Sequence, residues 1–278
     1  MKRDIKLIAL DLDGTLLTDK KIVTEHTKEI LYQAMEQGVI VMPATGRGIA
    51  AIPEEVKNIK GMQYALTVNG AAVVEVATGN VLYSDYLDCQ TAVEALEYGF
   101  TYDALPDIYI GGKAYSERSR LENVEHYMES PMQKEMLLKS RTPVDHLLEF
   151  VQQHSDNIEK VNVIFHDMEE RKRAYEYWEK QGTMMVTCSM DNNIELNSKT
   201  ATKGRALLAF AKTMGIEKEQ IMACGDSNND LEMIQMVGVG VAMGNAMTVV
   251  KEQAKFITKT NEEDGVAYAI ERFVLKEE

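Results

Sequence analysis

Ile5-Lys6-Leu7-Ile8-Ala9-Leu10-Asp11-Leu12-Asp13-Gly14-Thr15 decides how the rest of the chain is read. Residues 5–10 form a short, mostly apolar run that stops at an acid, which predicts a buried strand presenting Asp11 at its carboxyl end. Asp11 and Asp13 lie two residues apart, so on extended backbone their side chains share one side. Two carboxylates placed together repel, and a divalent cation offsets that repulsion. Mg2+ favours a few carboxylates completed by water and substrate phosphate. Gly14 lets the chain turn sharply, so that backbone N–H groups can cradle an anion. Taken alone, the same residues also fit a strand end with two solvated acids, because short motifs match by chance.

Outward from this strand, residues 25–37 have helical spacing (Ile30, Leu31, Ala34, Met35), with Thr24 as N-cap and Gly38 as stop signal. Residues 39–42 read as a second buried strand, followed by the turn Ala44-Thr45-Gly46-Arg47. A helix over 49–58 and a strand over 64–68, closed by the turn signal Asn69-Gly70, continue the alternation. Such alternation predicts a parallel sheet with crossover helices. The rhythm is lost after Ser84. A hairpin turning on Gly111-Gly112, amphipathic stretches at 120–129, 144–154 and 169–181, and strands at 161–165, 184–188 and 194–196 describe an α+β segment. Near Thr202 the alternation returns: a helix over 203–214, a strand over 221–224 entering Gly225-Asp226-Ser227-Asn228-Asn229-Asp230, then shorter strands and helices to a last helix over 264–274. The predicted architecture is α/β: a doubly wound, Rossmann-like core (residues 1–84 and 191–278) interrupted by an inserted α+β domain (residues 85–190).

Ligands of open α/β sheets bind beyond the carboxyl ends of the strands. Four groups fall at such positions: Asp11 to Thr15, Thr45-Gly46, Lys203, and Gly225 to Asp230. Asp226 ends an apolar strand and Asn229-Asp230 opens a helix, which suits a metal ligand and an amide donor as well as an ordinary turn and cap. The Thr45 hydroxyl sits between strand and helix, where it could hold a phosphate oxygen, although taken alone it reads first as a cap or turn. Lys203 stands at a helix start, the end that disfavours cations; taken alone it reads first as a solvated lysine, and a bound anion would also account for it.

Taken in order, Asp-x-Asp-Gly-Thr, Thr, Lys and Gly-Asp-x-x-Asn-Asp resemble the haloacid dehalogenase (HAD) superfamily of phosphohydrolases, and more narrowly its Cof-type, class IIB group. Ile8 to Leu17 is similar to the family's opening. Cys224 to Asp230 and Gly240-Val241-Ala242-Met243-Gly244-Asn245-Ala246 are similar to its closing signature, and Asn261-Glu262-Glu263-Asp264-Gly265-Val266 to its tail. About thirty residues separate Asp13 from Thr45, which one strand–turn–helix unit consumes, whereas the stretch from Thr45 to Lys203 far exceeds core connections. The insert therefore occupies the position that the family assigns to a type II cap, and the narrower resemblance implies type IIB. The resemblance implies a phosphatase of small phosphorylated metabolites, of the sugar-phosphate or cofactor-phosphate type. It implies Asp11 as nucleophile through an aspartyl-phosphate, and Asp13 as acid and base. Mg2+ would be held by Asp11, the Asp13 carbonyl and Asp226, and phosphate by Leu12 N–H, Thr45, Gly46 and Lys203. Asn229 would contact phosphate or substrate, and Asp230 would support the metal site. A phosphotransferase or phosphomutase shares this chemistry, and a sensor of a phosphorylated ligand shares the binding groups. Phosphate release, a new phosphoester, or binding without turnover would separate the three.

Composition narrows the partners. Thirty Lys and Arg against 44 Asp and Glu leave a net charge of −14, with no basic patch to overcome it. Nucleic acid and anionic membrane are thereby disfavoured. Three scattered cysteines (Cys89, Cys188, Cys224) without metal spacing predict reduced thiols and a cytoplasmic protein. No apolar run reaches the ~18 residues of a membrane span, and no signal peptide is expected. No coiled-coil pattern demands a second copy, so a monomer satisfies the sequence. The five histidines and seventeen methionines are expected to pack or face solvent, and Trp178 to sit exposed or half-buried on a charged helix.

Overall fold

A computed structural model describes residues 3–275. The chain begins β1 (Leu7–Leu10), α1 (Glu25–Glu36), β2 (Ile40–Pro43), α2 (Glu54–Lys57), β3 (Tyr64–Thr67), β4 (Ala72–Glu75) and β5 (Val81–Ser84). It continues α3 (Cys89–Phe100), β6 (Ala104–Ile110), β7 (Lys113–Glu117), α4 (Arg118–Leu121), α5 (Val124–Tyr127), α6 (Pro131–Ser140), β8 (Arg141–Val144), α7 (Leu147–Gln153), β9 (Ile158–Phe165), α8 (Met168–Gln181), β10 (Met184–Thr187) and β11 (Asn193–Ser198). It closes α9 (Lys203–Thr213), β12 (Ile221–Gly225), α10 (Leu231–Met236), β13 (Val239–Ala242), α11 (Thr248–Gln253), β14 (Phe256–Ile257) and α12 (Gly265–Ile270). These elements fall into two units. One comprises residues up to Arg47, Ile52–Ser84 and the chain from Thr202 onward; the other comprises Gly48–Ala51 and Asp85–Ala201.

The first unit is α/β. Its five-stranded sheet has the order β14-β13-β12-β1-β2, with every pair parallel. All four residues of β1 are buried, as befits a central strand of a parallel sheet covered on both faces. α1 lays Thr27, Ile30, Leu31 and Ala34 inward, is capped by Thr24 accepting from the Thr27 N–H, and ends before Gly38 at φ +82°. The helix expected over 49–58 is broken instead. A single tight turn covers Ile49–Ala51 and α2 starts only after Pro53, whose ring cannot continue a helix from the preceding residue. β3 does not extend the parallel sheet as a full strand. It bridges to β2 only at Ala44–Leu66 and otherwise builds a separate antiparallel sheet with β4 and β5.

The second unit is the α+β insert. Its six-stranded sheet runs β10-β11-β9-β6-β7-β8. Ile108, Val161, Val163, Ile194 and Leu196 form its apolar face, packed with Leu96, Val151 and Trp178 from α3, α7 and α8. Trp178 is thus buried, not exposed or half-exposed as expected, because it lies on the apolar side of an otherwise charged α8. On the opposite face Leu105 and Ile164 pack with Leu121, Val124, Tyr127 and Leu137, and beside them runs a polar row. Ser116, Asp107, Asn162, Glu195 and Thr187 stand directly opposite one another across five strands. The expected end of the insert at residue 190 is corrected to Ala201. β11 lies beyond 190, yet pairs antiparallel with both β9 and β10 and so belongs to this sheet. Gly48–Ala51 also groups here, where a side chain on Gly48 would crowd the Gly112 carbonyl at 3.1 Å.

Candidate active site

Strand order builds the site. β12 and β1 are neighbours in register Leu10–Cys224, so Asp11 and Asp226 emerge side by side, with the Asp11 N–H donating to Cys224 O at 3.0 Å. Lys203, the first residue of α9, is fully buried and places Nζ 2.7 Å from both Asp11 Oδ1 and Asp230 Oδ1. The other oxygen of Asp230 accepts from the N–H groups of Asp226 (3.0 Å) and Ser227 (3.1 Å). Both Asp230 oxygens are therefore engaged, which suits it to bracing its neighbours. Thr15 Oγ1 donates to Asp226 Oδ1 at 3.0 Å. Gly14, at φ +82°, lets the loop lie against Asp226, since a Cβ there would fall 2.6 Å from Oδ2.

Burial pushes the Asp11 carboxyl up to about 8; Lys203 pulls against that, and the charges of Asp230 and Asp226 add to it. Burial and Asp230 raise Asp226 to about 6, against the Thr15 hydrogen bond and Lys203. Burial opposes the charge on Lys203, but Asp11 and Asp230 outweigh it and hold the ammonium protonated above its usual range. One buried cation thus faces three carboxylates. Oxygens of Asp11, Asp226 and Asp230 all lie within 4.8 Å of one another. An excess of close, hard oxygen donors fits a divalent metal ion.

The remaining sequence-named residues surround this cluster. Asp13 pairs with Arg47 (Nε to Oδ2, 2.8 Å; a terminal guanidinium nitrogen to Oδ1, 2.8 Å) and with Lys21 (2.8 Å). Burial raises its carboxyl, but these two cations outweigh burial and hold it below its ordinary value. Leu12 is buried between the two aspartates, and its carbonyl accepts from the Leu17 N–H at 2.8 Å. Thr45, also buried, accepts from the Arg47 N–H through Oγ1 at 3.1 Å. Gly46 lies against Asn69, and Asn229 donates to Asn69 Oδ1 at 3.0 Å.

Five contributors escaped the sequence reading in this role: Lys21, Arg47, Asn69, Asn245 and Asn261. Arg47 carried a signal, a cation two residues after Thr45 in the same turn. Asn245 donates to Gly14 O at 2.8 Å and accepts from the Asn261 N–H at 3.1 Å, while Asn261 donates to Leu17 O at 3.1 Å. The closing and tail motifs thereby clasp the loop after Asp11, a partnership across more than two hundred residues that spacing alone does not reveal.

The second unit brings together Asp103, His126 and His166 at its surface. His126 Nε2 lies 2.6 Å from Asp103 Oδ2, and the two imidazoles stack at 3.9 Å with planes 19° apart. Ring lone pairs lie in the ring planes, so stacked rings aim them side by side rather than at one ion.

Residues 8–270 match the family model of the haloacid dehalogenase-like hydrolases. The chain belongs to this family. Among relatives of this haloacid dehalogenase-like hydrolase is the 5-amino-6-(5-phospho-D-ribitylamino)uracil phosphatase YcsE of Bacillus subtilis, 30% identical over 98% of this chain and 97% of its own length. The pyridoxal phosphate phosphatase YbhA of Escherichia coli is 27% identical over 95% of this chain and 97% of its own length. A solved haloacid dehalogenase-like hydrolase from B. subtilis superposes with a TM-score of 0.83 at 27% identity, covering 97% of this chain and all of that one. The family, the α/β core with its α+β insert, and a phosphoric monoester hydrolase agree across these comparisons. Among the described residues no helix is long and apolar enough to cross a membrane.

Proposed function

We propose that this hydrolase is a Mg2+-dependent phosphatase of small phosphorylated metabolites, of sugar-phosphate or cofactor-phosphate type, working through an aspartyl-phosphate on Asp11 in a reducing, cytoplasmic setting. The observation that carries the reading is Lys203 Nζ, wholly buried and shared at 2.7 Å between Asp11 and Asp230 beside Asp226. The Asp11 carboxylate attacks phosphorus in line, and the bond from phosphorus to the leaving oxygen breaks. Asp13 gives its proton to that oxygen, then takes one from the water that cleaves the acyl phosphate. To carry that proton, Asp13 must leave its pairing with Arg47 and Lys21, and the arriving phosphate offers those cations an alternative partner. The Thr45 hydroxyl and the N–H groups of Gly46 and Leu12 hold phosphate oxygens, with Lys203, while Asn229 contacts phosphate or substrate. Asp11, Asp226 and the Asp13 carbonyl would hold Mg2+, with Asp230 in support; the bound ion neutralises phosphoryl charge.

The second unit selects the leaving group, and the polar row of its sheet offers the donors and acceptors such a task needs. The relatives named for a phosphorylated ribitylaminouracil and for pyridoxal phosphate support small phosphoesters as the substrate class. Phosphate release from a panel of small phosphoesters, with Mg2+ or with EDTA, tests the proposal. Release from at least one compound, lost with EDTA, is expected. Release that persists unchanged in EDTA contradicts the metal assignment.

A further inference from the structure

Val68, Asn69 and Gly70 follow one another with φ of +49°, +58° and +103°. Positive φ is uncommon outside glycine, and for a β-branched valine it is a genuine outlier that the surroundings must hold in place. Here the surroundings are the turn that carries Thr45 and Gly46. Thr45 N–H donates to Leu66 O (2.9 Å), Val68 N–H to Arg47 O (3.0 Å) and Asn69 N–H to Thr45 O (3.1 Å). The Asn69 side chain is buried, and its Oδ1 accepts from Asn229 Nδ2 at 3.0 Å. The same oxygen would lie 2.8 Å from any Cβ at Gly46, and a Cβ at Gly70 would fall 2.3 Å from Thr202 O and 3.0 Å from Lys203 N. One left-handed turn therefore abuts Thr45, Gly46, Asn229 and the start of the helix that carries Lys203.

We infer that Asn69 is a positioning residue, which registers Gly46 and Asn229 against each other for phosphate through its side-chain amide and the left-handed turn it occupies. The inference rests on the proposed role of Thr45, Gly46, Lys203 and Asn229 as phosphate ligands. An ordinary tight turn would need only a residue that tolerates φ +58°, and glycine does so better than asparagine. A positioning role needs the side chain.

Asn69→Gly separates the two. Its expected result is a thermal midpoint close to wild type, with inorganic phosphate binding weakened about tenfold by calorimetry and kcat reduced by a similar factor. Wild-type phosphate affinity in a folded Asn69→Gly protein overturns the inference. Should the glycine variant unfold, Asn69→Asp replaces it, being nearly isosteric and at home at this φ. It keeps an acceptor for Asn229 but sets a charge against Gly46, so phosphate binding must weaken with the midpoint kept; undiminished binding again overturns the inference. If wild type neither binds phosphate nor releases it from any ester, the phosphate-site reading itself fails. If wild type does both and the Asn69 variants match it, only the inference fails.

Discussion

Lys203 shows how one side chain can organise a site. Buried without solvent, it has Asp11 and Asp230 as its countercharges, and it is the cation paired with both. Lys203→Met should leave two buried carboxylates uncompensated, destabilising the fold by about 3–5 kcal/mol and abolishing turnover. Denaturant unfolding checks this, and a stability equal to wild type would contradict the pairing. Glu159, buried on β9 of the second unit, offers a pH test. Burial raises its carboxyl from the ordinary 4.5 to about 7, against the Gly112 N–H that donates to it at 3.0 Å. Between those values the unfolded chain has shed a proton that the folded chain keeps. Its contribution to stability is therefore full below 4.5 and is lost as pH rises toward 7. The loss amounts to about 3 kcal/mol. Glu159→Gln should flatten that slope in thermal midpoints measured across the window; an unchanged slope would assign it to other groups.

The elements that place the site are those whose sequence carries a strong period or an abrupt end. β1 and β12 read directly as buried runs stopping at acids, α1 as a capped amphipathic helix and α9 as a helix over 203–214, because each pattern has a local cause. Elements fixed by distant partners were harder to read. β11 looks like a strand anywhere, and only its pairing with β9 and β10 assigns it to the insert. α3, α6, β4, β5 and β8 are not among the predicted elements, α6 because it presents Met132, Met136 and Leu138 to solvent and so lacks a clean apolar stripe. Asn245 and Asn261 were visible as motif letters, but their hold on the Asp11 loop exists only in three dimensions. Asn245→Ala should accelerate hydrogen exchange at the Leu16 and Leu17 amides, which donate to Asp11 O and Leu12 O, and lower kcat about tenfold. Unaltered exchange at both amides would show that the clasp is dispensable.

Every residue assigned to metal, nucleophile or phosphate falls within the first of the two units, although the insert separates Thr45 from Lys203 in sequence. Replacing Asp85–Ala201 by a short linker should therefore spare Mg2+ binding, measured by calorimetry, while eroding discrimination among small phosphoesters. Equal loss of both would mean that the insert builds the metal site. The central claim, a covalent phosphoryl group on Asp11, has the most direct test. Protein quenched during turnover with a good phosphoester, then digested and mapped by mass spectrometry, should carry the phosphoryl group on the peptide containing Asp11, and Asp11→Asn should carry none. A phosphoryl group on another peptide, or undiminished phosphate release by Asp11→Asn, would contradict the account.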